Sequence, residues 1–142
     1  MERRSFVKYT AAAGASLMLH PFSSIAAGSA TKLKLALVGT GVRGTSLWGK
    51  QIVNEFKDAC EFVGLCDINP GRLAYGKEYM GVSCPTFINV DEMLKQIKAD
   101  YVIVTTVDST HDEIIVKALN AGFNVITEKP MTTDEDKCRR IL

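Results

Sequence analysis

From residue 33 onward the chain alternates between two hydrophobic periods. Runs of consecutive apolar residues, the pattern of a strand buried on both faces, are separated by stretches with apolar residues three or four apart, the pattern of a helix with one buried face. Leu33 to Val38 predicts the first strand. Trp48, Ile52 and Phe56 follow at i, i+4 and i+8 and predict a helix, with Trp48 as a core residue. Glu61-Phe62-Val63-Gly64-Leu65-Cys66 predicts a second buried strand, ending at Asp67. Asn69-Pro70-Gly71 predicts a turn into a helix from Arg72 to Tyr79, closed by Gly81. Cys84 to Ile88 predicts a short edge strand, because Pro85 has no N–H for a ladder.

Asn89-x-x-Glu92 reads as a capping box, and Val90, Met93, Leu94 and Ile97 mark the face of the helix it opens. Asp100 to Thr106 is a strongly β-branched strand. Thr110-x-x-Glu113 opens a helix that ends at Gly122, and Asn124 to Thr127 predicts a fifth strand, closed by Glu128-Lys129-Pro130. Thr133-Asp134-Glu135-Asp136 starts a last helix. Strand–helix alternation of this kind predicts an α/β fold, a doubly wound parallel sheet in the order 3-2-1-4-5.

In that order the first and fourth strands are neighbours, and a ligand crevice opens between their carboxyl ends. The first strand ends in Gly39-Thr40-Gly41-Val42-Arg43-Gly44, a Gly-x-Gly-x-x-Gly with a strand before it and a helix after it. Gly39 allows the tight turn, Gly41 lets a pyrophosphate approach the backbone, and Gly44 lets helix and strand lie close. The amides of the new helix then face the phosphates. The fourth strand contributes Thr105, Thr106 and the residues up to His111. Asp67, 23 residues beyond Gly44, stands where a carboxylate accepts hydrogen bonds from a ribose and repels a 2′-phosphate. NAD is therefore favoured over NADP, although Arg72 could neutralise a phosphate.

Composition changes this picture little. The chain has 142 residues, 46% of them hydrophobic and 23% charged, as in an ordinary globular protein of one domain. Residues 1–30 hold three basic residues and one acidic, which leaves 14 basic against 15 acidic beyond them. That balance gives no electrostatic case for nucleic acid, and no apolar run is long enough to span a membrane. Cys60, Cys66, Cys84 and Cys138 match no zinc spacing. The first two bracket one strand, too far apart for a disulfide, so all four are read as reduced thiols and no metal is expected.

The first thirty residues read differently from the rest. Arg3-Arg4, Phe6 and Lys8 precede a mild apolar stretch from Tyr9 to Leu19 and then small residues up to Ala30, the order of an export signal. The paired arginines resemble a twin-arginine signal, which carries folded proteins across the bacterial inner membrane. Cleavage is expected after Ala26 or Ala30, with residues 31–142 as the folded domain in the periplasm.

Taken together, Gly39-Thr40-Gly41-x-x-Gly44, Asp67 and Glu128-Lys129-Pro130 resemble the glucose–fructose oxidoreductase and inositol dehydrogenase family (Gfo/Idh/MocA). The resemblance covers residues 33–142. It implies an NAD(P)-dependent oxidoreductase acting on a sugar, polyol or related carbohydrate. Glu-Lys-Pro then lies near the nicotinamide, and Lys129 is the group that contacts substrate and helps move a proton; Glu128 beside it either holds the lysine in its charged form or binds ribose. Burial of Lys129 at the strand end would bring its amine toward neutrality.

Thr106-Val107-Asp108-Ser109-Thr110-His111 keeps the threonine and histidine of the family's Thr-Pro-Asn-x-x-His but not its proline and asparagine. His111 either faces the cofactor or occupies the first turn of a helix. The family's sixth strand and second α/β domain, which carries most of the substrate pocket, lie outside this chain. It thus corresponds to a cofactor-binding half, a fragment or truncated product of a protein that could be a homo-oligomer when complete. Two other functions fit the same residues: a redox-neutral glycoside hydrolase or lyase with tightly held NAD, and a module that binds dinucleotide without catalysis.

Overall fold

The computed structural model describes residues 31–142, and the export-signal reading falls on residues outside them. Five strands form one parallel sheet in the order β3-β2-β1-β4-β5, the order expected for this alternation. They are β1 (Leu33–Val38), β2 (Cys60–Cys66), β3 (Thr86–Phe87), β4 (Tyr101–Val104) and β5 (Asn124–Thr127). Helix α1 is wound as a π-helix over Arg43–Lys50 and continues as an α-helix over Gln51–Glu55. The others are α2 (Pro70–Met80), α3 (Val90–Gln96), α4 (His111–Asn120) and α5 (Glu135–Ile141). No helix among the described residues is long and apolar enough to cross a membrane.

The period-two alternation of the strands divides the core between the faces of the sheet. Ala36, Val38, Cys66, Val102 and Val104 pack on one side with Met93 and Leu94 from α3, Ile97 just after it, and Ile115 and Ala118 from α4. Leu35, Leu37, Leu65 and Ile103 pack on the other with Leu73 and Met80 from α2, and Trp48 and Ile52 of α1 lie partly buried against them. Phe56 does not join that face. It is the residue that ends α1 and is half exposed, because π-wound turns bond i to i+5 and move later residues off a 3.6-residue stripe.

Register is what builds the site. Val38 pairs with Cys66 on one side and Val104 on the other, and Val104 pairs with Thr127. The next residue of each strand therefore reaches the carboxyl edge at one level, placing Asp67, Gly39, Thr105 and Glu128 in a row. β4 is shorter than its β-branched run, and its last ladder bond is Thr105 N to Val38 O at 2.8 Å.

Helix ends follow their caps. Asn69 accepts from Arg72 N, and Gly81 closes α2 in the left-handed region at φ 73°. Asn89 accepts from Asp91 N at 2.8 Å and Glu92 N at 3.2 Å. Thr110, read from the sequence as a capping residue, caps nothing. A 3-10 turn over Asp108–Thr110 precedes α4, and the Thr110 hydroxyl donates back to Val107 O at 2.7 Å. The last helix starts within the expected stretch, at Glu135, with Asp134 as its cap accepting from Lys137 N.

Candidate functional site

Gly39 turns the chain out of β1 at φ 99°, and a Cβ there would lie 2.7 Å from the Thr105 carbonyl carbon. At Gly44 a Cβ would lie 2.1 Å from Gly39 O and 2.6 Å from Thr105 Oγ1, so α1 starts against both the turn and the end of β4. Gly41 differs: a Cβ there would meet nothing within 4 Å, and the residue borders the crevice. Two of the three glycines thus permit packing, and the third leaves backbone open to a ligand. No side chain caps the start of α1, and its first turn holds no acidic residue, so the N–H groups there are free for an anion.

The crevice has a volume of about 520 Å³. It is lined by Gly39, Gly41, Asp67 and Arg72 after β1 and β2, by Thr105, Thr106 and Val107 after β4, and by Asn89, Glu113 and Lys117 at the start of α3 and along α4. Ile68, Ile88 and Val107 are exposed at its border, an apolar rim suited to the faces of a planar base. The sequence reading missed Ile68, Ile88 and the α3–α4 end. Their signal was position, since Ile68 and Ile88 lie within two residues of a strand end and the others lie on α3 and α4 or at their starts.

Asp67 is buried, and its carboxylate is crowded with donors. Oδ2 accepts from Thr40 N (2.8 Å), Thr40 Oγ1 (3.1 Å) and Arg72 Nε (3.3 Å). Oδ1 accepts from Asn69 N (2.8 Å) and Arg72 Nη2 (2.9 Å). Burial alone would raise its pKa, but the Arg72 guanidinium and the Asn69 and Thr40 donors outweigh it and hold the carboxyl below its ordinary value. Arg72 is itself half exposed and can leave, whereas the backbone donors cannot. A ribose diol reaching Asp67 would take the lone pairs that Arg72 now occupies.

Several residues expected at the cofactor do other work. Thr40 is buried and spends its amide and hydroxyl on Asp67. Val42 is exposed at the tip of the turn. Thr105 borders the crevice, but its hydroxyl donates to Gly39 O at 2.7 Å and fastens the two strand ends together. His111 is fully buried in the first turn of α4. Its Nδ1 lies 3.0 Å from Pro130 O and its Nε2 3.1 Å from Thr106 O, so the ring braces two loops and does not face the crevice.

Arg43 and Glu128 depart furthest from expectation. Arg43 turns from the phosphate side toward the end of β5, giving Nε to Glu128 Oε1 at 3.0 Å and Nη2 to Oε2 at 3.3 Å. Trp48 is not a plain core residue: its indole N–H donates to Glu128 Oε1 at 2.7 Å. Arg43, then Trp48, hold the Glu128 carboxyl below its usual pKa. Lys129 is exposed at the end of β5, so the described residues do not supply the burial expected of it.

Gly-rich turn, uncapped helix start, open Gly41 and a ribose-level carboxylate beside a topological switch point define a dinucleotide-binding Rossmann domain. The chain belongs to the oxidoreductase family with an NAD-binding Rossmann fold named Gfo/Idh/MocA, whose profile matches residues 33–142. It is 36% identical over 112 residues to YteT of Bacillus subtilis (strain 168), covering 76% of this chain and 26% of that protein. It is 33% identical over 135 residues to a glycosyl hydrolase family 109 protein of Stenotrophomonas maltophilia, covering 88% and 29%. Among solved structures, the WlbA dehydrogenase of Chromobacterium violaceum in complex with NADH and UDP-GlcNAcA matches with a TM-score of 0.71 and 33% identity, over 78% of this chain and 31% of that one. The chain thus spans about a quarter to a third of the length of these relatives.

Proposed function

We propose that this chain is the dinucleotide-binding part of an NAD-dependent oxidoreductase that moves a hydride to or from a sugar, polyol or related carbohydrate. The observation that carries this reading is the row of Asp67, Gly39 and Thr105 at the carboxyl edge, where an ionised carboxylate flanks free helix amides across the mouth of one crevice. The amides near Gly41 would hold the pyrophosphate and Asp67 the adenosine ribose. NAD supplies the hydride acceptor. The same carboxylate disfavours NADP through repulsion of a 2′-phosphate, unless Arg72 moves to neutralise it.

Lys129 is the chain's acid–base group in this reading. Its ammonium polarises a carbonyl oxygen, and its neutral amine takes the hydroxyl proton as hydride leaves the adjacent carbon, giving ketone and NADH. Lys129 is exposed among the described residues, so in this reading a bound substrate is what shields it from water. The relative of the glycosyl hydrolase class at 33% identity favours a second reading, a redox-neutral cycle in which the hydride returns within one turnover.

The test adds NAD and candidate carbohydrates to the full protein that carries this chain. Net NADH marks a dehydrogenase, and product without net NADH marks the redox-neutral cycle. Bound NAD with neither leaves only the non-catalytic module. Lys129→Ala should cut turnover by about 10²–10⁴-fold while NAD affinity holds. An equal loss of NAD affinity would instead make Lys129 a binding residue.

The paired Arg3-Arg4 and the basic, apolar, small-residue order after them support export by the twin-arginine route to the periplasm. An enzyme there meets no pool of free dinucleotide, so the protein should fold and load NAD in the cytoplasm and retain it. Periplasmic protein carrying NAD through extensive dialysis is the expected result. Cytoplasmic protein with an intact leader overturns it.

A further inference from the structure

Lys129 lies between two residues that are each tied to another part of the fold. On the amino side, Glu128 N donates to Val104 O at 3.1 Å, and the Glu128 carboxylate takes three donors from α1. On the carboxyl side, Pro130 O faces His111 Nδ1 at 3.0 Å. The two anchors differ in what they connect. His111 ties the segment to the loop after β4, through Thr106 O. Glu128 ties it to the helix whose first residues form the phosphate-binding turn.

Arg43 is the informative member. It belongs to the glycine motif, where a guanidinium beside an incoming pyrophosphate has a strong competing partner. Here it is held 85 residues away in sequence, in a forked pair with Glu128. The pair is only partly shielded, since the Arg43 side chain is 59% exposed and that of Glu128 14%. Such an exposed pair adds little stability. Trp48 supplies what the ion pair lacks: a rigid, partly buried donor that fixes the carboxylate from a second direction. A side chain held from two directions by one helix moves with that helix.

We propose that Glu128 is a positioning residue that, through Arg43 and Trp48, couples occupancy of the phosphate-binding turn to the placement of Lys129. This rests on the reading of Lys129 as the acid–base group, and it adds how the cofactor site and that lysine communicate. Dinucleotide at the start of α1 settles the helix, Arg43 and Trp48 carry the change to Glu128, and the backbone at Lys129 tightens. Only hydrogen bonds rearrange.

Hydrogen exchange of the full chain, followed by mass spectrometry with and without NAD as the probe, reads this directly. NAD should slow exchange in the peptide covering residues 126–131 of the wild type. In Glu128→Gln and in Trp48→Phe that slowing should be lost, while the dissociation constant for NAD stays within about twofold. Trp48→Phe removes one hydrogen bond and keeps the ring, so it stands in should Glu128→Gln fold poorly. Equal slowing in the wild type and both variants overturns the coupling, because NAD then touches the segment itself. No slowing in a wild type that has bound NAD overturns it also.

Turnover separates the two ideas. If Lys129→Ala remains active, the acid–base reading fails whatever the exchange shows. If Lys129→Ala is inactive, Glu128→Gln should lower kcat by about 10- to 100-fold at unchanged KM for NAD, the scale of a misplaced catalytic group. Its pH profile of kcat should also shift, since a neutral amide replaces the carboxylate next to Lys129. Wild-type kcat and an unshifted profile in Glu128→Gln overturn the positioning role.

Discussion

Arg72 grips the Asp67 carboxylate with both arms of its guanidinium, Nε at 3.3 Å and Nη2 at 2.9 Å, from the first turn of the helix that follows Asp67. The arginine thus occupies the acceptor that a ribose diol needs, and its exposure lets it yield. Replacing Asp67 by Ser with Arg72 in place removes the diol acceptor and frees a cation for a 2′-phosphate. NAD affinity should fall by about 10- to 100-fold, since hydrogen bonds to a charged group contribute ~1.5–3 kcal/mol. NADP affinity should rise. Titration of both dinucleotides into both forms measures this, and unchanged NAD affinity in the Ser variant would remove Asp67 from the site.

The same carboxylate makes stability depend on acid. Asp67 has a lower pKa folded than unfolded, so it stabilises the fold fully above the unfolded value of about 3.9, and that contribution is lost as pH falls through the folded value. Glu128 acts in the same direction because of Arg43 and Trp48. The melting temperature of the wild type should therefore drop as pH falls below about 4. In Asp67→Asn the wild-type advantage should be largest near neutrality and shrink on acidification. Parallel melting curves for the two proteins across that range would show that the Asp67 carboxylate is not selectively stabilised.

The strands and their order were legible because both faces of a parallel sheet are buried, which leaves uninterrupted apolar runs such as residues 35–38 and 102–104. Asp67 was legible because its role depends only on where a strand ends. Arg43, Trp48 and Glu128 were not legible as a group. They are 80 and 85 residues apart, and no local period marks a side chain that reaches across a sheet edge. His111 was readable as a helix-start residue, but the two carbonyls it faces come from loops whose approach only the fold fixes. Thr110 misled because a capping pattern describes composition, whereas the 3-10 turn that ends at Thr110 had already placed its backbone near helical angles.

The four cysteines should react unequally. Burial, then the neighbouring Asp67 charge, pushes the Cys66 thiol up to about 11, and burial raises Cys84 as well. Cys60 and Cys138 are only partly buried. Thiolate, not thiol, is the nucleophile. Brief alkylation of native protein near neutral pH, followed by peptide mapping, should label Cys60 and Cys138 and spare Cys66 and Cys84. Early labelling of Cys66 would mean that the carboxyl edge of the sheet opens far more readily than its packing implies.

Gly41 and Gly44 are three residues apart and should fail in opposite ways. A methyl group at Gly44 would fall 2.1 Å from Gly39 O and 2.6 Å from Thr105 Oγ1, the contacts by which α1 lies on the turn and on the end of β4. Backbone cannot yield as a flexible side chain does, so α1 must shift. Gly44→Ala should cost about 1–3 kcal/mol of stability, the range for overpacking a well-packed site, and NAD binding should weaken as a consequence. A methyl group at Gly41 would meet no protein atom within 4 Å. Gly41→Ala should therefore melt like the wild type and lose NAD affinity alone, because its Cβ stands where phosphate approaches the backbone. Thermal melting and NAD titration of both variants decide the matter. A stable Gly41→Ala protein with wild-type NAD affinity would show that the dinucleotide does not lie along this turn.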